Sequence, residues 1–429
     1  MTHFPAAVAV PSKPTKMIGA ALSGAILLAS ASLASPARAD PLTFEEAISR
    51  ARADAPSLRA TALGADASRA ARTAAGALPD PKLALGVDSF PISGPLAFQP
   101  SRDNFTWVRV GISQDIPNPA KRRAQQTRAD ADIALAEAGT ALETRNVEVG
   151  TAVAWITLAY AEKRLAAVEA VRTRLVQVVR TTPSAVAAGN ARPGQTLAGR
   201  QSLAELDDRR DGLIADVGRA RAELTRWTGD SAPQIAGPMP EFAVDEATLR
   251  ASIDANPLLG QPQARIAQAA ANVRLADADR KSDFGIEAAY QHRDPRFGDY
   301  VSAGVTVSLP FFTRRRQNAA IAAGQAEAGK VGAEREAARR EIAANLEAGI
   351  ADHTMHHEQW MRSRRAIEPL ARERVELETA SYGAGRASLV DVVDAHVALA
   401  EAALTTLDRE ALVEIDGAQL TLTYRSATR

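Results

Sequence analysis

Four short stretches alternate apolar and polar residues, and each pair of them leads into a much longer stretch of helical period. In 82–88 (KLALGVD), Leu83, Leu85 and Val87 share one face. In 105–114 (FTWVRVGISQ), Val108, Val110 and Ile112 oppose Arg109, Gly111 and Ser113. Phe284, Ile286, Ala288 and Tyr290 oppose Glu287 and Gln291 in 284–292, and Val301, Ala303, Val305, Val307 and Leu309 oppose Ser302, Gly304, Thr306 and Ser308 in 300–309. A period of two predicts strands with one apolar and one polar face. From about Ala120 to Thr182, Leu142, Val149, Val153, Ile156, Val168, Val171, Leu175 and Val178 recur at three, four and seven. That spacing predicts a helix packed along its whole length, and the pattern returns from about Thr313 to Ser381. A helix of about 60 residues reaches roughly 90 Å.

The chain reads as two tandem halves. ARADAPSL at 51–58 resembles SIDANPLL at 252–259, AGNA at 188–191 resembles AGRA at 384–387, and SLAEL at 202–206 resembles ALAEA at 398–402. Each half has the order helix, two strands, very long helix, turn, helix. The expected division is a first repeat over 40–228, a linker rich in proline and glycine over 229–245, and a second repeat over 246–429.

Strands of about nine to eleven residues with one apolar and one polar face suit a membrane barrel with a wet interior. Four strands cannot close such a barrel, and an open edge in lipid leaves backbone groups unpaired. The chain is therefore expected to share a barrel, with three copies giving twelve strands. Pro117, Pro119 and Pro310 end the sheet, and two basic runs follow: Lys121, Arg122 and Arg123, then Arg314, Arg315 and Arg316 beside Phe311 and Phe312. Arginines at a helix start oppose the macrodipole by a few tenths of a kcal/mol each, an effect that contact with lipid phosphate outweighs. The two runs are expected to form a basic belt at the membrane interface.

The N-terminus sets the compartment. Lys13 and Lys16 precede an apolar run from Met17 to Ala34, and Ala37-Arg38-Ala39 supplies a signal-peptidase pattern, so residues 1–39 are read as a signal peptide. The 51 basic residues then fall by Lys13, Lys16 and Arg38 to 48, against 51 acidic ones. A nearly neutral exported chain is a poor partner for nucleic acid. There is no cysteine, which excludes disulfides and a lipid-modified N-terminal Cys. No phosphate-binding glycine loop, HExxH or GxSxG motif is present, so neither an enzyme nor a cofactor is expected.

YGAGRASLVDVVDAHVALAEAAL at 382–404, with its first-half counterpart AAGNARPGQTLAGRQSLAEL at 187–206, resembles the signature of the TolC-type outer-membrane efflux proteins. The resemblance covers the whole chain after the signal segment. It implies a mainly α homotrimer with a small β part: an α-helical periplasmic tunnel continuous with a shared twelve-stranded outer-membrane β-barrel. It also implies an adaptor protein in the periplasm and an inner-membrane pump of the resistance-nodulation-division type. LPDPKLALGVDSFPISGP at 78–95 and QDIPNPAKRR at 114–123 are similar to the branch that serves heavy-metal pumps, especially for copper and silver. Two further expectations come with the family. Asp391 and Asp394, at i and i+3 on one helix face, match the acids that ring the periplasmic aperture, with Arg386 beside them as a pairing partner. The turns with Gly189 and Asn190 and with Gly385 and Arg386 match the adaptor-docking tips.

His353, His356 and His357 stand at i, i+3 and i+4 and are candidate metal ligands. Two alternatives stay open: a duct for drugs or secreted proteins with the same architecture, and a periplasmic coiled-coil scaffold without transport.

Overall fold

The computed structural model describes residues 41–187 and 193–425. The expected signal peptide and the turn with Gly189 and Asn190 lie outside these described residues. Two short helices open the chain, α1 (Phe44–Asp54) and α2 (Pro56–Ala74). Thr43 and Glu46 form a reciprocal capping box on the first, and Pro56 starts the second, where its missing N–H costs nothing. Strands β1 (Lys82–Asp88) and β2 (Trp107–Ile116) lead into α3 (Pro119–Ala187) and α4 (Pro193–Thr228). The second half runs through α5 (Glu246–Ala251), two single 3₁₀ turns, α6 (Gly260–Ala278), β3 (Phe284–His292) and β4 (Tyr300–Val307) into α7 (Gln317–Arg362). A π-turn (Ser363–Ile367) then joins α7 to α8 (Glu368–Gly383), and α9 (Leu389–Tyr424) closes the chain.

The four strands form one antiparallel sheet in the order β1-β2-β3-β4, so the two hairpins meet through β2 and β3. α3 spans 69 residues, roughly 100 Å of helix. Its middle supplies the main core, where Trp155, Ile156, Leu158 and Tyr160 are fully buried against Leu42, Leu224 and Ala418. Trp155 satisfies its indole N–H on Leu42 O at 3.0 Å, as a buried Trp must. The segment 229–245 packs onto that core: Ile235 bridges Leu42, and Phe242 meets Phe44 edge-on at 5.8 Å. A second core farther along joins Val168, Val171 and Leu175 of α3 to Leu206 and Leu213 of α4 and to Leu389, Val393 and Leu404 of α9.

Two expectations from the helical pattern shift. The second long helix starts at Gln317, so Arg314, Arg315 and Arg316 sit in a turn ahead of it and not in its first turn. It is also interrupted at 363–367. Pro369 has no N–H for the carbonyl four residues back, and its ring crowds that carbonyl, so the helix widens before it. Arg409 of α9 serves the site, donating to Ser363 Oγ at 2.5 Å and to Gln359 O at 3.3 Å.

Candidate functional site

The register sorts the sheet into two chemically distinct faces. Leu85, Val110, Tyr290 and Val301 stand in one cross-strand row, and Leu83, Ile112, Ala288 and Ala303 in another. Leu85 and Val301 are 71 % and 78 % exposed. The opposite face carries Lys82, Ser113, Glu287 and Gly304 in one row and Gly86, Arg109, Gln291 and Tyr300 in another. Arg109 approaches Glu287 at 3.8 Å there, and Lys82 pairs with Asp115 at 2.6 Å. Neither face is covered by the chain's own helices, and β1 and β4 are free edges of the sheet. Among the described residues no helix is long and apolar enough to cross a membrane.

At one end of the sheet the two basic runs have different fates. Lys121 bonds Asp279 at 2.8 Å and lies 3.7 Å from Asp283, and the Asp279 carboxylate raises its pKa above the ordinary lysine value. Arg122 donates to Gly76 O at 2.7 Å. These two charges are therefore paired within the subunit. Arg123, Arg314, Arg315 and Arg316 are exposed, and among the described residues their side chains make no hydrogen bond or ion pair; Phe311 and Phe312 beside the last three are 77 % and 80 % exposed. At the other end of the sheet Arg293 ties the hairpin loops together. It donates to Asn104 O at 3.0 Å and Gly298 O at 2.6 Å and lies over the Tyr300 ring at 4.1 Å.

At the far turn between α8 and α9, Gly385 adopts φ +71°, which only glycine takes up without strain. The amide of Arg386 donates to Ser381 O at 2.8 Å and that of Gly385 to Tyr382 O at 3.0 Å, the two bonds of a Schellman cap. Ser388 and Asp391 form a reciprocal capping box on α9: the Ser388 amide donates to Asp391 Oδ2 at 2.8 Å, and the Asp391 amide donates to Ser388 Oγ at 3.3 Å. These bonds hold the Asp391 carboxyl below its usual pKa. Asp391 and Asp394 are both exposed on α9, whose Val392, Val393, Ala395 and His396 are buried. Arg386 is exposed, and among the described residues its side chain forms no ion pair, while the Asp391 carboxylate accepts from the Ser388 amide.

The histidine cluster does not converge. His356 pairs with Asp416 of α9 at 2.6 Å, His357 packs edge-on to Trp360 at 5.7 Å, and burial lowers the pKa of His353. Among the described residues no three His, Cys, Asp or Glu side chains are placed to hold a metal ion.

The periodic patterns gave no sign of Asn118, whose buried side-chain amide donates to Asp283 Oδ1 at 2.9 Å, of Arg293 or of the capping role of Ser388. The last was legible as Ser-x-x-Asp ahead of an apolar run, a capping-box signature.

Residues 248–423 match the model of the outer membrane efflux protein family. The chain superimposes on a membrane protein from Pseudomonas aeruginosa with a TM-score of 0.77, at 15 % identity, covering 90 % of each chain. CusC, crystallised in a study of folding and transmembrane channel formation, matches with a TM-score of 0.77 at 14 % identity, over 90 % of this chain and 92 % of its own. The Campylobacter jejuni CmeC outer membrane channel matches with a TM-score of 0.74 at 12 % identity, over 89 % and 85 %. The fold is that of the outer-membrane efflux channels. No curated protein matches this chain by sequence.

Proposed function

We propose that this chain is one subunit of a homotrimeric channel in the outer membrane of a Gram-negative bacterium. It passively conducts a substrate delivered by a periplasmic adaptor and an inner-membrane pump of the resistance-nodulation-division type. The observation that carries the reading is the sheet: large exposed apolar residues on one face, polar and small residues on the other, and two free edges. In water such a sheet is an aggregation hazard, whereas in a closed ring in lipid both faces and both edges are satisfied. The recurring order of elements supports two repeats, 40–228 and 246–429, each supplying one hairpin and one pair of tunnel helices. On this reading Asp391 and Asp394 line the periplasmic aperture with Arg386 nearby, and the turns with Gly189, Asn190, Gly385 and Arg386 meet the adaptor.

The substrate class is heavy-metal cations such as copper or silver. The similarity of 78–95 and 114–123 to the heavy-metal branch supports it. Deleting the gene and titrating copper, silver, zinc and a panel of drugs tests both levels. Sensitivity confined to metal salts is expected. Sensitivity to drugs alone would reassign the substrate, and an unchanged strain whose protein does not fractionate with the outer membrane would remove the channel reading.

A further inference from the structure

The rim of the sheet where the strands give way to helices holds an unassigned groove. It has a volume of about 440 Å³ and runs between the end of α6 and the turn before α7, a size ordinary for a small-molecule headgroup. Its two carboxylates are already satisfied: Asp279 by Lys121 at 2.8 Å, and Asp283 by the Asn118 amide at 2.7 Å. The cations Lys281 and Arg316 line the same groove, are exposed, and among the described residues make no hydrogen bond or ion pair through their side chains. Arg314 and Arg315 lie in the adjoining turn, their side chains likewise without partners among the described residues, so positive charge is left over on this side. Phe311 and Phe312 project from that turn almost fully exposed, and Leu309 of the groove wall is 59 % exposed. A soluble anion would meet the charge and leave these side chains in water. A phospholipid satisfies both.

Building on the membrane placement proposed above, we infer that Lys281, Arg314, Arg315 and Arg316 bind the phosphate of an anionic phospholipid in the periplasm-facing leaflet, while Phe311 and Phe312 enter its acyl region. Each subunit carries one such site, on the second-repeat side of its rim. The corresponding first-repeat lysine and arginine, Lys121 and Arg122, are taken up internally. The contact fixes the depth of the sheet in the bilayer at the point where the helices begin.

The full-length protein placed in nanodiscs of equal phosphatidylglycerol and phosphatidylcholine tests this by counting the lipids retained on extraction into mild detergent. Wild type is expected to enrich phosphatidylglycerol, and Arg315→Gln to lower that enrichment about five-fold. Combining K281Q, R314Q, R315Q and R316Q should abolish it, and F311S with F312S should reduce retention of both lipids. Equal retention of the two lipids by inserted wild type overturns the lipid site and leaves the channel reading intact, whereas failure to insert at all counts against the channel. Displacement of phosphatidylglycerol by millimolar inorganic phosphate, with no effect of the phenylalanine changes, also overturns the lipid site, in favour of a soluble anion.

Discussion

Asn118 joins parts of the chain that are 160 residues and more apart, and it is only 2 % exposed. Its amide group donates to Asp283 Oδ1 at 2.9 Å and to the carbonyls of Ala278 and Lys281, while its own oxygen accepts from the Lys121 amide at 2.8 Å and caps α3. Asn118→Ala removes the side-chain donations to Ala278 O, Lys281 O and Asp283 Oδ1 and the cap on α3, an expected loss of about 1–3 kcal/mol. The measurement is the denaturant midpoint of the purified protein; a shift no larger than that of a surface alanine substitution would show that the bridge does not hold the two halves. Asp391 gives a pH-dependent case. Its folded pKa lies below the ordinary 3.8 because Ser388 binds the charged form. Its contribution is therefore fully present above the unfolded value and is lost as pH falls through the lower folded one. Hydrogen exchange at the Ser388 and Asp391 amides should accelerate below about pH 4, and Asp391→Ala should be fast at every pH; a wild-type rate that is flat across that window would sink the assignment.

At the scale of elements, the alternation in the sequence finds β1 and β3 at their observed bounds, because burial of neither face disturbs a period of two. β2 starts at Trp107 and not at Phe105, since Thr106 turns its hydroxyl to Ser89 O at 3.0 Å and belongs to the hairpin loop. Such side-chain-to-loop bonds have no periodicity to betray them. The π-turn was legible in principle from Pro369, whereas Asn118 and Arg293 act across long sequence separations that no local pattern records. Arg293 predicts a property of the loops. Its guanidinium holds carbonyls of both hairpin loops, so Arg293→Ala should release 89–106 and 293–299 together while the strand register survives. Limited proteolysis should then cut both loops at least several-fold faster, and cleavage of one without the other would show that they are not coupled. The basic runs teach the same lesson from the other side: Lys121 and Arg122 look like Arg314 and Arg315 in sequence, and only packing separates paired charges from free ones.

For the whole molecule the open question is how many sheets close the ring and which face meets lipid. Two copies would supply eight strands, whose interior is just filled by side chains, and Arg109, Glu287, Gln291 and Tyr300 on the polar face would plug it. Three copies give twelve strands and leave a lumen, so the mass in mild detergent should be three times that of the processed chain, and a stable dimer with an intact sheet would exclude the channel geometry. A pair of neighbouring substitutions on β1 then fixes the orientation. Leu85 lies in the apolar row and Ala84 in the row of Gly111, Ala289 and Ser302 on the other face. Arginine on the lipid face near mid-membrane costs about 2–4 kcal/mol per subunit, while arginine in the lumen stays hydrated. Leu85→Arg should therefore lower the yield of trimers recovered from the outer membrane, whereas Ala84→Arg should assemble normally and shift single-channel conductance toward anions. The reverse pattern would mean that the sheet is turned inside out, and equal assembly of both variants would mean that the sheet does not enter lipid.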